Sequence, residues 1–310
     1  MDTDPDTRLR ATSLHRRLLF WRGGAVAFFV LACIVAFAHP SGGGWPGHPG
    51  PHLVHLKVQG IVASDEHENV EALRKAADDD AVRGLVLEVN SPGGAVTGGE
   101  ELHDAVAAFA RRKPVVVSMG SVAASAGYMI SVPASRIFAN RSTLTGSIGV
   151  ILESPDVSTL LDRVGVHVDQ LVSGPMKGQP SVVRPLSPEG RGMLQDVIAD
   201  LYDFFVNVVA QDRHMPVGRV RELADGRPYT GQQALKLGLV DEIGSMEDAR
   251  QWLARSTHLP GDARPVDIGP AATRGWWRHL VAGVLSGMPG AEFLLKEGSA
   301  LDGAVAIWKL

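Results

Sequence analysis

Cysteine and lysine are both scarce in this chain of 310 residues. Cys33 is the only cysteine, which excludes an intramolecular disulfide framework and any cysteine-rich metal cluster. Seven of the 30 basic residues are lysines and the rest are arginines. Because arginine does not lose its proton at physiological pH, any chemistry that needs a basic amine has few candidates.

Cofactor and nucleic-acid motifs are also absent from the sequence. It contains no HExxH, no GxxxxGK[ST] and no GxGxxG in a βαβ context, so we expect neither a metal nor a nucleotide cofactor. The formal net charge is −4, whereas a phosphate-binding face normally shows a basic excess. A nucleic-acid partner is therefore not expected. With 45% hydrophobic and 21% charged residues, the chain can bury a full core.

One long apolar run lies near the N-terminus. Residues 23–38 read GGAVAFFVLACIVAFA without a charge, which is close to the lower length limit for a membrane-spanning helix. The preceding flank carries Arg8, Arg10, Arg16, Arg17 and Arg22, and the Gly/Pro-rich stretch after the run has no basic residue. The positive-inside rule then predicts a transmembrane anchor with its N-terminus in the cytoplasm and residues 39 onward outside it. A signal peptide cleaved after Ala38 is the alternative, and a buried core helix is less favoured.

The remaining sequence alternates between apolar strand patterns and helical patterns. Strands are predicted over 52–62, 82–90, 114–120, 136–140 and 167–174, and helices over 68–79, 95–112, 187–213 and 230–238. This order is typical of βαβ units and a largely parallel sheet, in which sites form at the carboxyl ends of strands.

Two of those strand ends carry small and polar residues. Strand 82–90 is followed by a predicted turn with the sequence SPGG, and strand 114–120 leads into Ala124-Ser125-Ala126-Gly127. Glycine N–H groups can approach a ligand closely and stabilise an oxyanion, and a serine before a helix can act as a nucleophile. Each feature alone more often indicates a turn or a packing residue.

A serine nucleophile needs a base, which is usually histidine. No histidine lies between Ser125 and His167. A lysine can replace it when burial or nearby positive charge lowers the lysine pKa. Lys177 lies in a Gly/Pro-rich loop after a predicted strand, where it could reach a cleft, although spacing alone also fits a solvated loop lysine.

Several motifs occur together in one order. They are Asn90-Ser91-Pro92-Gly93-Gly94, Ala124-Ser125-Ala126-Gly127-Tyr128, Thr145-Gly146-Ser147-Ile148-Gly149, Ser173-Gly174-Pro175-Met176-Lys177 and Gly226-Arg227-Pro228-Tyr229-Thr230-Gly231. From about residue 53 to residue 250, this set resembles the S49 serine peptidases of the signal peptide peptidase A type, in their short form with a single copy of the unit.

The resemblance implies an α/β fold of the ClpP/crotonase type, with repeated ββα units. It implies a Ser-Lys dyad formed by Ser125 and Lys177, with Ser147 orienting the lysine. It also implies an oxyanion hole formed by Gly93, Gly94 and Ala126. Two positions depart from the family pattern. Ala126 replaces a glycine, which is tolerable if its φ is negative, and Gly178 stands where an aspartate often follows the lysine.

The resemblance further implies a homo-oligomeric ring in which serine and lysine can come from neighbouring subunits. The substrates would be hydrophobic peptides such as remnant signal peptides, and the location would be the bacterial inner membrane, with the catalytic domain on the extracytoplasmic side. The expected organisation is a basic N-terminus (1–22), an anchor (23–38), a linker (39–52), a peptidase domain (53–255) and a tail (256–310) that could contact a membrane or a subunit.

Three other functions remain open at this point. A crotonase-type acyl-CoA enzyme would share the glycine loop but would need neither Ser125 nor Lys177, and the predicted anchor argues against it. An inactive membrane scaffold of the same fold is disfavoured because Ser125, Ser147 and Lys177 are all present. A membrane peptidase of the stomatin-partner type also uses serine and lysine, but such proteins often have an additional C-terminal membrane domain, which we do not expect here.

Overall fold

The computed structural model describes residues 50–269 and 305–307. The predicted anchor at 23–38 lies outside these residues. Within the described ranges, no helix combines the length and the apolar character needed to cross a membrane.

Strands and helices alternate along most of this part of the chain. The strands are β1 (His52–Gln59), β2 (Val82–Ser91), β3 (Gly93–Ala95), β4 (Val115–Ala124), β5 (Arg136–Ala139), β6 (Leu144–Gly146), β7 (Pro228–Thr230), β8 (Glu242–Ile243), β9 (Val266–Asp267) and β10 (Val305–Ile307). The helices are α1 (His67–Asp78), α2 (Val96–Ala110), α3 (Ala126–Ser131), α4 (Ser158–Arg163), α5 (Pro188–Asp212), α6 (Val217–Leu223), α7 (Gly231–Leu237) and α8 (Met246–Ser256).

Eight of the strands form one sheet. Its main path runs β7-β6-β4-β2-β1-β9, and β5 pairs with both β4 and β8. Every pairing in this sheet is parallel except that of β6 with β7. The prediction of a largely parallel α/β sheet is therefore confirmed.

The central strands are buried on both faces, as parallel strands between helices usually are. In β4, the first five residues are all buried. On one face, α8 packs Leu253 and Ala249 against Val86, Val116 and Phe138 of three neighbouring strands. The helices α2 and α3 contact each other and the strands that lead into them. This core fixes the strand ends at which the predicted site residues lie.

Local sequence explains where two of the predicted helices begin and end. Ser187 caps α5 by accepting a hydrogen bond from the N–H of Gly190, with proline at the first helical position. Thr230 and Gln233 form a capping box at the start of α7, and Gly238 ends that helix with φ of 79°. Polar N-caps satisfy free N–H groups, and glycine accepts the left-handed turn.

The predicted strand at 167–174 is wrong. Residues 151–182, which we call the arm, contain α4 and a 3₁₀ turn at Pro175–Gly178, but 166–172 form no regular structure. Val168 and Leu171 are exposed, the latter at 95%. The apolar pattern at 166–172 finds no partner strand within the described residues, and a strand without a partner leaves its backbone groups unpaired.

Three strands, β3, β9 and β10, lie where the sequence suggested a turn and a tail. The predicted turn at 91–94 instead leads into β3, which pairs with β10 in a separate two-stranded sheet. Within the stretch taken as the tail, β9 joins the main sheet next to β1.

Candidate active site

Ser125 occupies the bend between a central strand and a helix. Strand β4 ends at Ala124 and α3 begins at Ala126. Ser125 has φ of 54° and ψ of −122°, a conformation that costs a non-glycine residue on the order of 1–3 kcal/mol. A strained serine at a strand-to-helix turn is the arrangement that presents a nucleophile at the top of a sheet in other hydrolase folds.

The hydroxyl of Ser125 is buried but has no hydrogen-bond partner within the described residues. The whole residue is 1% exposed. Buried polar atoms are nearly always hydrogen-bonded, so an exception in a strained turn needs a functional explanation. Ser125 is the one hydroxyl among the unpartnered buried side-chain atoms of the described chain.

Ser147 lies beside Ser125 on the neighbouring strand. Ala124 of β4 is paired with Gly146 of β6, and the N–H of Ser125 donates to the Gly146 carbonyl at 2.8 Å. The two serines therefore follow paired residues on parallel strands, which lie about 4.8 Å apart. Ser147 also has a positive φ of 49°, and its hydroxyl donates to the Gly226 carbonyl at 3.1 Å. That hydroxyl can still accept a hydrogen bond from an amine.

The glycine loop runs close to this serine pair. A methyl group added at Gly127 in α3 would lie 2.9 Å from the Ser91 carbonyl oxygen, so the start of α3 packs directly on the loop. Gly93 has φ of 111°, and its N–H donates to the Ser91 hydroxyl at 3.1 Å. Of the N–H groups predicted to form the oxyanion hole, that of Gly93 is thus already hydrogen-bonded to Ser91. The sequence analysis had placed Ser91 only in a turn.

Ala126 is accommodated by a second glycine. Ala126 begins α3 and is not among the residues with positive φ, so its methyl group causes no backbone strain. A methyl group added at Gly99 would lie 3.0 Å from the Ala126 side chain. The space left by Gly99 therefore accepts the alanine. Ala126 N–H is in the first turn of the helix, where backbone N–H groups have no partner within the helix.

Tyr128 anchors α3 behind the serine. Burial raises the pKa of Tyr128, because its effect is larger than that of the positive charge of Arg213, which lowers the pKa. The phenol is therefore protonated at neutral pH, and it donates to the Leu239 carbonyl at 2.9 Å. Tyr128 acts as a structural anchor and not as a base.

Lys177 is not brought to the serines within this chain. It lies in the exposed 3₁₀ turn of the arm, and its side chain is exposed. The structure thus brings Ser125, Ala126 and Ser147 together at the carboxyl ends of β4 and β6, with the glycine loop packed on the start of α3. Lys177 makes no hydrogen bond to either serine within the described residues.

Sequence comparison identifies the family. The model of peptidase family S49 matches residues 107–259, and the Clp protease model matches residues 58–152. A candidate protease of Synechocystis sp. is 40% identical over 215 residues, which cover 69% of this chain and 78% of the relative. The chain belongs to peptidase family S49. It is accordingly a serine protease, a hydrolase, and its fold is of the ClpP-like α/β type.

A second S49 relative carries a more specific name. A candidate signal peptide peptidase SppA of Enterococcus faecium is 38% identical over 226 residues, covering 69% of this chain and 66% of the relative. The chain thus spans about two thirds of that protein. The S49 match contains Ser125, Ser147 and Lys177, and the Clp protease match contains both serines and the glycine loop.

Solved structures of low identity are also similar to this S49 chain. The 1510-N membrane-bound stomatin-specific protease, in complex with a substrate peptide, is 15% identical with a TM-score of 0.49. That likeness covers 75% of this chain and 98% of the other.

Proposed function

We propose that this chain is a membrane-anchored serine endopeptidase in which Ser125 is the nucleophile and Lys177 the general base. The observation that carries the proposal is the Ser125 hydroxyl, which is buried at a strained turn beside Ser147 and has no partner among the described residues. An acyl-CoA enzyme or an inactive scaffold would have no use for such a group, because a buried unpaired hydroxyl only reduces stability.

The proposed reaction uses the groups at the carboxyl ends of β4 and β6 and on the neighbouring glycine loop. Ser125 Oγ attacks the substrate carbonyl carbon while its proton passes to Lys177 Nζ. The oxygen that gains negative charge accepts hydrogen bonds from the N–H groups of Gly94 and Ala126. Lys177 then protonates the leaving amine as the C–N bond breaks. Water then attacks the acyl-enzyme while Lys177 takes its proton. Lys177 returns this proton to Ser125 Oγ as the ester C–O bond breaks, which regenerates the serine and the neutral lysine.

Lys177 reaches Ser125 of a neighbouring copy in this proposal. A lysine acts as a base only where burial or positive charge disfavours its protonated form, and Lys177 is exposed in the single chain. Most of the exposed large hydrophobic residues lie on the same segment. Of the twelve among the described residues, nine are on the arm: Ile151, Val157, Leu160, Val164, Val166, Val168, Leu171, Val172 and Val182. A concentration of exposed apolar residues on one segment is typical of a protein contact.

A second copy of the chain would cover the arm and bury Lys177 at the same time. Repetition of one such contact around an axis gives a closed ring. The ring is consistent with the ClpP-like fold of the chain and with the family.

The substrate class and the location follow from the N-terminal sequence and the relatives. The uncharged run at 23–38 and the five arginines before it support an anchor with the catalytic domain outside the cytoplasm. A site held near a bilayer meets hydrophobic peptides such as remnant signal peptides, which fits the name of the relative from Enterococcus faecium. Retention of the chain in alkali-washed bacterial membranes tests the anchor, and release into the wash contradicts it.

Replacing either member of the dyad tests the mechanism. We expect Ser125→Ala and Lys177→Ala each to reduce kcat on a fluorogenic hydrophobic peptide by about 10⁴-fold or more, since removal of a nucleophile or its base has effects of this order. Two variants serve as matched controls. Ser118→Ala changes a buried serine of β4, the strand that precedes Ser125, and Lys236→Ala changes an exposed lysine of α7. Near-normal turnover by either dyad variant would show that the assignment is wrong.

A further inference from the structure

The strand next to β6 carries a tyrosine that packs behind both serines of the site. Tyr229 of β7 is 9% exposed, and β7 pairs with β6 in antiparallel orientation. A methyl group added at Gly146 would lie 2.8 Å from the Tyr229 ring, so the ring packs directly on this glycine. Gly146 precedes Ser147, and its carbonyl accepts the N–H of Ser125 at 2.8 Å. The Tyr229 ring therefore supports the residue that joins the two serines.

Ser147 is also held by two consecutive carbonyl groups. Its N–H donates to the Arg227 carbonyl at 3.1 Å, and its hydroxyl donates to the Gly226 carbonyl at 3.1 Å. Both carbonyls belong to the loop 224–227, which joins α6 to β7. The conformation of this loop therefore decides where the Ser147 hydroxyl points and from which direction its lone pairs can accept a hydrogen bond.

The hydroxyl of Tyr229 closes this loop. It donates to the carbonyl of Leu223, the last residue of α6, at 3.1 Å. The last carbonyls of a helix have no partner within the helix, and the hydroxyl supplies one. Burial raises the pKa of Tyr229, so the phenol is protonated at neutral pH and can donate. Inside the loop, Asp225 accepts the N–H of Arg227 at 3.1 Å. The loop is thus tied together at its ends and within its middle.

We propose that Tyr229 is a positioning residue for peptide hydrolysis and acts through Ser147. By closing the loop 224–227 and packing on Gly146, it fixes the Ser147 hydroxyl in the orientation that accepts a hydrogen bond from the incoming lysine. The inference rests on the proposed function, in which Ser147 orients Lys177, and adds the residue that holds Ser147 in place. Without the Tyr229 hydroxyl, Ser147 populates other orientations as well, in which it does not meet the lysine.

A purely structural role for Tyr229 makes a different prediction. A tyrosine that only stabilises the fold has the same effect on activity whether or not Ser147 carries its hydroxyl. A tyrosine that acts through Ser147 has no effect on activity once that hydroxyl is gone. A double-mutant cycle measures this coupling directly. The effect is expected on kcat, because Ser147 orients the base and does not bind the peptide.

The cycle combines Tyr229→Phe with Ser147→Gly in the full chain. Tyr229→Phe keeps the ring and removes only the hydroxyl. We expect it to lower kcat on the fluorogenic hydrophobic peptide about three- to tenfold with KM unchanged, the effect of one hydrogen bond. In the Ser147→Gly chain, the same substitution should change kcat by less than about twofold. Tyr202→Phe, which removes the hydroxyl of a tyrosine of α5, is the matched control and should leave kcat as in the parent chain. An equal loss of kcat in both backgrounds, or no loss in the parent chain, would overturn the inference.

Hydrogen exchange separates this inference from the proposed function. Exchange of the segment 144–149, followed by mass spectrometry, reports the Ser147 N–H without turnover. We expect Tyr229→Phe to speed its exchange about three- to tenfold and Tyr202→Phe to leave it unchanged. If the parent chain cleaves no peptide but Tyr229→Phe speeds this exchange, the proposed function is refuted and the link between Tyr229 and Ser147 stands. An unchanged exchange rate in Tyr229→Phe would refute the inference even in an active protease.

Discussion

At the scale of single residues, the site is defined by two serines whose backbone conformations are unfavourable. Ser125 and Ser147 both have positive φ, and each follows one member of the Ala124–Gly146 pair. The cost of two such conformations is on the order of 2–6 kcal/mol, which only the surrounding sheet can offset. In the sequence, Ser125 is one serine among alanines and glycines. The ordered motifs identified it, and backbone strain could not be predicted.

The role of Ser147 is tested by removing its hydroxyl in two ways. Its hydroxyl donates to the Gly226 carbonyl, so towards an incoming lysine it can only accept. Loss of one hydrogen bond to a charged group costs about 1.5–3 kcal/mol. We therefore expect Ser147→Ala to reduce kcat by roughly ten- to a hundredfold, at about 1.4 kcal/mol per factor of ten, with little change in KM.

Ser147→Gly provides the matched comparison. Glycine also lacks the hydroxyl but accepts the positive φ without strain. Equal losses of kcat in the alanine and glycine variants would assign the effect to the hydroxyl. Normal turnover by the glycine variant would show instead that Ser147 is only a backbone element.

At the scale of helices and strands, prediction succeeded where the cause is local. Apolar runs correctly predicted the strands β2 and β4. The predicted starts of α5 and α7 lie at the residues that cap these helices, Ser187 and Thr230. Prediction failed where the presence of a strand depends on a partner that is distant in sequence. Strand β3 is made of residues with low strand preference and exists because Val62 and β10 pair with it. The segment 167–174 has a strand-like pattern but meets no strand within the described part of the chain.

The contact between α2 and α5 contains a titrating group. His103 of α2 bonds Asp212 at the end of α5 at 2.8 Å and its neighbour Asp104 at 2.9 Å. Burial favours the neutral ring, but the hydrogen bonds and charges of Asp212 and Asp104 outweigh it and raise the pKa of His103. When the imidazole is protonated, it donates to both carboxylates and so joins the two helices.

Stability is expected to depend on pH through this histidine. Because the pKa of His103 is higher in the folded chain than in the unfolded chain, its contribution is complete below about pH 6.5 and decreases as pH rises through the folded value. His103→Gln should remove this component and cost about 1–3 kcal/mol at pH 6. Urea unfolding of the parent and His103→Gln chains at pH 6 and pH 9 measures this cost. If the difference between their free energies of unfolding is the same at both pH values, the account is contradicted.

At the scale of the whole molecule, our proposal requires more than one copy of the chain for catalysis. One chain brings Ser125 and Ser147 together beside the glycine loop, but the proposed base, Lys177, lies on the exposed arm. None of the residues of α4 or of the 3₁₀ turn that carries Lys177 is buried. The sequence suggested a dyad shared between subunits only through family resemblance. The structure adds that the apolar surface and the unpaired lysine lie on the same segment.

Mixing two inactive chains tests this central claim most directly. The Ser125→Ala and Lys177→Ala chains are each inactive alone in our account. When both are co-expressed and assembled at random, roughly a quarter of the contacts in a closed ring should pair an intact serine with an intact lysine. We predict recovery of about that fraction of parental kcat on the fluorogenic peptide. No recovery in mixed assemblies, confirmed to contain both chains, would show that the serine and its base are not shared between copies.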